Sequence, residues 1–429
     1  MSTGRGVPVE PRMTRLDGGL IVLSLALPGR ASVAVGLWVG VGGRHEPASR
    51  NGISHFIEHL LFKGTERRSA AEISQSVEGA GGYLNAFTDE EHTCFFARAQ
   101  AARMLDLVEV LLDMFLHSRF APAEIARERE VIGEEIAMYL DQPAERVHDL
   151  LNALQFPDHP LGRPVVGTRA SLDTLRRADF LQYLSTHYVT GATVIAAAGA
   201  VDHDALVRRV RRHGRHFRPG ARPAFDPAPP PATAPRFRAV AMASEQVNLS
   251  LGIRTCSRHD PRRHAVRLLS VLLGENMSSR LFQVLRETHG LTYNIASSTS
   301  FWDDCGDLVI SAGLDPGDLE RTLRLIRREL RRIANQAPDR TEFRRARDYI
   351  LGQHELLLEG TEHQMMTLGE QWLGYGRVAS PREFQEAIRT VTPSEVLAAA
   401  RDFVRPAHCS LALVGPERSG RGLERLFVP

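Results

Sequence analysis

Two histidines and a glutamate near the start of the chain form the string His55-x-x-Glu58-His59. On a helix, His55 and His59 lie four residues apart and therefore share a face. Two neutral imidazoles placed in this way can bind one zinc ion, and Glu58 points into the same space, where it can accept a proton from metal-bound water. This order is the reverse of the commoner metallopeptidase motif and supplies the same groups. The alternative is an amphipathic helix whose histidines are surface residues or satisfied core residues.

A catalytic zinc site also needs a third protein ligand and an open position. After Pro122, the residues Ile125, Glu128, Ile132 and Glu135 follow one another at spacings of three, four and three residues, which predicts a helix with both carboxylates on its apolar stripe. Buried carboxylates are costly unless they are paired or bind a metal. Glu128 and Glu135 are therefore candidates for the metal site. A helix at a domain edge, with both carboxylates in solvent, is the alternative.

The elements that must position these side chains follow the same order in both halves of the chain. In the first half, the apolar patterns predict strands at 20–27, 32–41, 83–87 and 92–99, and helices at 52–62, from 69 onward and at 103–117. In the second half, they predict strands at 237–252, 292–299 and 308–313, and helices at 261–273, 279–287 and 318–334. We therefore predict an α+β fold of two homologous, α/β-sandwich-like domains, each with an antiparallel-rich sheet and helices. Two unrelated domains are the alternative.

A proline-rich stretch at residues 219–235 divides the 429 residues into two nearly equal parts. Proline removes backbone donors and stiffens the chain, so this stretch is predicted to be an extended linker. The predicted domains are residues 1–218, which carry the zinc site, and residues 236–429, which bind substrate.

Charge and composition exclude a general binder of polyanions, because 53 basic and 51 acidic residues leave a net charge of +2. Lys63 is the only lysine, which we interpret as coding bias rather than function. The arginine-rich stretches at 208–212 and 321–332 fall at helical spacing among apolar residues. They are predicted to be solvated helix faces, so no nucleic-acid partner is expected.

The cysteines and the apolar runs bear on the compartment. The four cysteines lie far apart and include no C-x-x-C pair: Cys94, Cys256, Cys305 and Cys409. A disulfide framework or a cysteine zinc site is therefore not expected, which fits a reducing cytoplasm. The longest apolar stretches, at 31–41 and 192–201, are well short of the roughly 18 residues that cross a bilayer, so membrane insertion is not expected.

Longer strings carry a family resemblance over nearly the whole chain. They are TRLDGGLIV, SHFIEHLLFKGT, YLNAFTDEEHTCF, REREVIGEEIAMYLDQP, HPLGRPVVGT, MSSRLFQVLRETHGLTY and LLLEGT. In these strings the chain resembles the pitrilysin-like, or inverzincin, zinc peptidases of family M16. The resemblance is to the short form related to mitochondrial processing peptidase in particular.

The resemblance implies a role for each residue of the candidate metal site. His55, His59 and Glu135 match the three ligands of one zinc ion per chain, and Glu58 matches the general base. Glu128 matches the acid that supports the zinc site, and such partners orient a ligating histidine and tune its basicity.

The resemblance also implies three substrate-binding residues. Asn85 matches a residue that contacts the substrate backbone beside the metal, and Arg286 and Tyr293 match a pair that reaches across to the bound peptide. A tyrosine hydroxyl can donate to a developing oxyanion, and an arginine can hold a peptide carbonyl. In isolation, Arg286 would be interpreted as a cation at a helix C-terminus and Tyr293 as a strand aromatic.

Other positions depart from the family pattern, namely Glu275, Asn276 and Gln364. They bear on the substrate chamber and not on the zinc chemistry. The acidic turn at residues 89–91 either favours basic substrates or is merely an exposed turn.

The predicted function is a zinc-dependent endopeptidase that hydrolyses unfolded peptides or presequence-like segments inside a closed chamber. The resemblance implies that four α+β units form such a chamber and that one chain supplies two, so we expect a homodimer, or a heterodimer with a sister chain. One alternative is a catalytic or non-catalytic subunit of a heterodimeric processing complex. Another is a zinc-binding interaction module without hydrolysis, against which Glu58 argues, because a structural zinc site needs no adjacent base.

Overall fold

Apolar segments form two separate sheets in the computed structural model, which describes residues 10–416, 423 and 426–429. The strands of the first sheet are β1 (Arg12–Arg15), β2 (Ile21–Ala26), β3 (Ser32–Val39), β4 (Tyr83–Thr88), β5 (Thr93–Gln100) and β6 (Thr193–Gly199). The strands of the second sheet are β7 (Arg236–Ala241), β8 (Val247–Thr255), β9 (Thr292–Phe301), β10 (Gly306–Leu314) and β11 (Cys409–Gly415).

The second sheet repeats the topology of the first. The strand orders are β1-β2-β6-β3-β5-β4 and β7-β11-β8-β10-β9. The pairs β2–β6 and β7–β11 are parallel, and all the other neighbours within these sheets are antiparallel. Apart from β1, the strands of the first sheet therefore recur in the second with the same chain order and the same directions. The predicted α+β class with two related domains is confirmed.

Helices flank both sheets. In the first half of the chain they are α1 (Ile53–Leu61), α2 (Ala70–Val77), α3 (Met104–His117), α4 (Pro122–Asp141), α5 (Pro143–Gln155), α6 (Arg169–Thr174), α7 (Arg177–His187) and α8 (His203–His213). In the second half they are α9 (Arg263–Leu273), a π-helix (Phe282–Thr288), α10 (Leu319–Asn335), α11 (Arg340–Leu357), α12 (Thr361–Tyr375), α13 (Pro381–Thr390) and α14 (Pro393–Phe403).

The elements predicted for the first half all occur, with ends shifted by one or two residues. In the second half, the single strand predicted at 237–252 is wrong, because β7 and β8 are separate strands that lie on opposite sides of β11. The chain must cross from one side of β11 to the other, so it cannot remain one strand. The helix predicted at 279–287 is present as the π-helix.

The described chain forms two compact units whose limits differ from the predicted domains. One unit contains residues 10–134, 164–225 and 355–380, and the other contains 135–163, 226–354 and the described residues from 381 onward. Within the first unit, α12 packs on β6 and β3, and within the second, α5 packs on β11 and β8. The helix covers one face of its sheet and buries the apolar side chains there. In both units, this helix comes from the half of the chain that does not contain the strands.

Residues 219–235 form neither helix nor strand. Residues 219–225 belong to the first unit, and residues 226–235 belong to the second. In the part of the chain that the structure describes, no helix combines the length and apolar character that crossing a bilayer requires.

Close backbone packing sets the position of α12 in the first unit. Gly369 on α12 lies against the fully buried ring of Trp38 on β3. A Cβ atom at position 369 would fall well inside van der Waals contact with that ring. Buried around this contact are Met365 and Leu368. Glycine at 369 is therefore required by the distance between helix and sheet.

We expect Gly369→Ala to destabilise the protein by about 1–3 kcal/mol, because the added methyl group forces α12 away from β3. Urea unfolding measures this loss. Gly352→Ala is the matched control, since a Cβ atom at that position in α11 meets nothing within 4 Å. This variant should be neutral or more stable by up to about 1 kcal/mol. Equal midpoints for the two variants would contradict the packing argument.

Candidate metal site

A buried carboxylate fixes the start of α1, the helix that carries both histidines. Glu46 accepts hydrogen bonds from the backbone N–H groups of Gly52 (2.7 Å) and Ser54 (2.8 Å). A negative group at this end of a helix is favoured by the helix dipole, although burial raises the pKa of Glu46. Gly52 has a left-handed φ of 91°, and a side chain there would meet the backbone of Gly167. The first turn of α1 is therefore held in one position.

One face of α1 consists of apolar side chains and is buried in the core of the first unit. Ile53, Phe56, Ile57 and Leu60 are at most 1% exposed. This burial leaves the remaining face of the helix to present polar side chains.

The two histidines of α1 share that remaining face, as the spacing predicts. The ring centroids of His55 and His59 are 4.7 Å apart. Burial, together with the neighbouring His59, lowers the pKa of His55 to about 3. The His55 imidazole is therefore neutral at neutral pH and keeps a lone pair for a metal ion.

Helix α4 brings Glu135 to the histidine pair. One ligand atom from each of His55, His59 and Glu135 lies within 4.8 Å of the other two. The boundary between the compact units falls after Glu134, inside the continuous helix α4, so the place of Glu135 follows from α4 itself. Two imidazoles and one carboxylate are the donor set of many catalytic zinc sites, so these residues fit the predicted ion.

Glu128, two turns before Glu135 on α4, contacts the back of one histidine. Its Oε2 atom lies 3.2 Å from Nδ1 of His59, and Glu128 is 1% exposed. Because a carboxylate only accepts, Nδ1 carries the proton and Nε2 of His59 remains for a metal. The Oε1 atom of Glu128 lies 2.9 Å from Nζ of Lys63. The alternative of a solvated carboxylate is therefore wrong for Glu128.

The predicted base, Glu58, is oriented by the edge strand of the first sheet. The hydroxyl of Thr88, the last residue of β4, donates to Oε2 of Glu58 over 2.6 Å. Asn85 lies exposed on the same strand, where its Nδ2 donates to the Tyr83 hydroxyl (2.5 Å) and its Oδ1 accepts from the N–H of Ala86 (2.9 Å). The substrate contact of Asn85 stays a prediction.

Arg286 and Tyr293 lie together in the second unit. The guanidinium of Arg286, in the π-helix, is 4.9 Å from the ring centroid of Tyr293 and 4.8 Å from that of Phe282, which are cation–π distances. Tyr293 is 80% exposed at the start of the edge strand β9. Their predicted contacts with the peptide and the oxyanion stay predictions.

The acidic turn after β4 is largely engaged within the protein. Asp89 accepts hydrogen bonds from the backbone N–H groups of Glu91 and His92. Glu91 is 2% exposed and forms an ion pair of 2.8 Å with Arg44, whose guanidinium stacks on Phe225 at 4.0 Å. These partners argue against a role of Asp89 and Glu91 in selecting basic substrates.

The sequence does not identify three side chains that contact the candidate site residues or the start of their helix, namely Glu46, Lys63 and Thr88. Each acts through a partner that is distant in sequence or through backbone groups, so no periodic pattern reveals it. Lys63 had one signal, because it is the only lysine of the chain.

Comparisons with known proteins show the family of this chain and related folds. The family described as Insulinase (Peptidase family M16) matches residues 21–169, and the one described as Peptidase M16 inactive domain matches residues 174–350. The candidate ligands all lie in the first range. An uncharacterized zinc protease of Mycobacterium tuberculosis is 39% identical over 421 residues, which are 97% of this chain and 95% of the relative.

Two further proteins extend the similarity. An uncharacterized zinc protease of Bacillus subtilis is 33% identical over 410 residues, 94% of this chain and 98% of the relative. The crystal structure of a protease from Helicobacter pylori aligns with a TM-score of 0.89 at 19% identity, over 96% of this chain and 100% of that one. At this identity the structural match shows the fold alone.

We expect Glu46→Gln to lower the free energy of unfolding by about 1–3 kcal/mol, because the amide replaces one accepting oxygen at the start of α1 by an NH2 group, which cannot accept, whereas both carboxyl oxygens of Glu46 can accept in either protonation state. Burial raises the folded pKa of Glu46 above 4.5, so its stabilising contribution is complete below pH 4.5 and is lost as pH rises through the folded pKa. The difference from wild type should therefore be larger near pH 5 than near pH 8 in urea unfolding.

The control for this experiment is Glu78→Gln, a change at an exposed residue after α2. It should alter stability by less than about 0.5 kcal/mol at either pH. A Glu46→Gln effect that grows with pH would contradict the assigned cause.

Proposed function

Because the chain belongs to peptidase family M16, whose relatives described above are named zinc proteases, we propose that it is a zinc-dependent endopeptidase. The observation that carries this proposal is the group His55, His59 and Glu135, whose ligand atoms lie within 4.8 Å of one another. Glu58 stands beside the pair on α1, where a base is required.

The proposed chemistry divides between the metal and the side chains of the chain. His55, His59 and Glu135 would hold one zinc ion per chain, which supplies a Lewis acid and lowers the pKa of a coordinated water. Glu58 takes a proton from the attacking water and passes it to the leaving amine. The Thr88 hydroxyl donates to Oε2 of Glu58 and holds the carboxylate in place. The other carboxylate oxygen of Glu58 carries the proton.

The edge strand β4 is the proposed binding site for the substrate backbone. It lies at the border of the first sheet and ends at Thr88, the residue bonded to Glu58. An extended peptide can add to such an edge through main-chain hydrogen bonds, which a folded substrate cannot supply. Asn85 offers an exposed side-chain amide on the same strand. These features favour unfolded peptides or presequence-like segments as substrates.

Apolar side chains beside Glu135 favour an apolar residue near the scissile bond. Val131 and Met138 are 47% and 50% exposed on α4. At roughly 100° per residue they lie about 40° and 60° round the helix from Glu135, on its exposed side. They therefore border the face that carries the candidate ligand.

Assembly completes the proposal. We infer that Tyr293 donates to the oxyanion and that Arg286 holds a peptide carbonyl inside a closed chamber built from two chains. A homodimer supplies both sets of residues, and a heterodimer with a sister chain is the second candidate. The four buried, free thiols support a reducing, cytoplasmic compartment.

We expect Glu58→Gln to lower cleavage of an internally quenched peptide library by about 10²–10⁴-fold, because the amide cannot accept the proton. Zinc content, measured on the same samples, should stay equal to wild type. Glu66→Gln, an exposed change outside the site, is the control and should cleave normally. Equal cleavage by wild type and Glu58→Gln would refute the mechanism. Stoichiometric zinc with no cleavage by wild type would favour a subunit that needs a sister chain.

The apolar face of α4 gives a second test. We expect Met138→Lys to shift the library preference from apolar toward acidic residues at one position near the cleaved bond, because it adds a cation beside Glu135. Leu140→Lys is a matched control, since Leu140 is 48% exposed on the same helix and lies about 140° from Glu135. Identical preferences for the two variants would exclude α4 from substrate selection.

A further inference from the structure

Lys63 is the one exception to the use of arginine at basic positions of this chain. Of 53 basic residues in the chain, it alone is lysine. A bias toward arginine explains the other basic residues but not this exception. Lys63 lies two residues after the end of α1, and its ammonium group is 2.9 Å from Oε1 of Glu128. The exception therefore coincides with the carboxylate that contacts a candidate metal ligand.

The two oxygens of Glu128 have different partners. Oε1 pairs with Lys63, and Oε2 lies 3.2 Å from Nδ1 of His59. The Glu128 side chain is 1% exposed, whereas that of Lys63 is 33% exposed. A buried carboxylate without partners is costly, and here each oxygen has a specific donor. The carboxylate can therefore rotate only by losing one of these contacts.

Arginine would engage this carboxylate differently. A guanidinium presents a planar fork that takes both oxygens of a carboxylate, whereas an ammonium group acts as a point donor. The chain itself shows the first case, because Arg280 binds Glu342 through Nε to Oε1 (2.6 Å) and through a terminal nitrogen to Oε2 (2.8 Å). The same fork at position 63 would compete with His59 for Oε2 of Glu128.

We propose that Lys63 is a positioning residue of the metal site, which holds Glu128 so that its Oε2 faces Nδ1 of His59. Nε2 of His59 is thereby directed to the metal. Lys63 acts through Glu128 and touches neither substrate nor ion. This inference rests on the zinc site of the proposed function.

The first test is the zinc affinity of the full chain, measured by competition with a chelating dye. Lys63→Met should weaken zinc binding by about 10–100-fold, the range for partners of ligating histidines. Lys63→Arg should also weaken it, although the charge is kept. Arg127→Met is the control, since Arg127 is 68% exposed on α4 and pairs with Glu124, and it should bind zinc as wild type does.

A double-mutant cycle separates positioning from general destabilisation. If Lys63 acts through Glu128, then adding Lys63→Met to Glu128→Gln should cause no further loss of zinc affinity. Losses that multiply in the double variant would overturn the inference, because Lys63 would then act by another route.

Chemical modification tests the same point in wild-type protein that has already folded with Lys63 in place. Amine reagents can modify only Lys63 and the α-amino group, and the Lys63→Arg variant controls for the latter. Acetylation, which removes the charge, should weaken zinc binding as Lys63→Met does. Unchanged affinity after complete acetylation would refute the role of Lys63.

The outcomes for the two proposals differ. Zinc binding by wild type that is unchanged in Lys63→Met would overturn the inference and leave the proposed function standing. A wild-type chain that binds no zinc at His55 and His59 would overturn both.

Discussion

The contact between His59 and Glu128 joins the two helices on which the candidate site depends. Helix α1 supplies both histidines and the proposed base, and α4 supplies Glu128 and Glu135. Because Glu128 is almost fully buried, its carboxylate cannot turn to solvent, and its position is fixed by the few donors around it. The start of α1 is held by a second buried carboxylate, Glu46. Two buried carboxyl groups thus determine where the candidate metal-binding face lies.

Local patterns are enough to identify the candidate ligands. His55, Glu58 and His59 lie within one helical segment, so their spacing alone predicts a shared face. Glu135 was identified from its place on an apolar stripe, which is also a local signal. The supporting contacts are long-range: Thr88 is 30 residues from Glu58, and Lys63 is 65 residues from Glu128. Only the fold brings such pairs together, so a single sequence cannot reveal them.

The same limit explains the difference between predicted and observed units. Hydrophobic periodicity shows that α5 and α12 each have a face to bury, and it does not show which sheet receives that face. The proline-rich stretch at 219–235 suggested a simple division of the chain into halves. In the structure each of these helices covers the sheet whose strands lie mainly in the other half. The repeated pattern of elements, by contrast, made the fold class predictable, whereas the strand order is known only from the structure.

The duplication indicates that the candidate metal site is not required for the fold. Helix α9 follows β8 and precedes β9, the place that α1 has between β3 and β4. Its sequence, RHAVRLLSVLL, contains no acidic residue and no second histidine, and eight of its residues are buried in the second core. The second copy is therefore stabilised by apolar packing where the first copy carries the candidate ligands. Because a sheet of the same topology, apart from β1, forms in both copies, the candidate ligands of α1 are an addition to a scaffold that apolar packing already specifies.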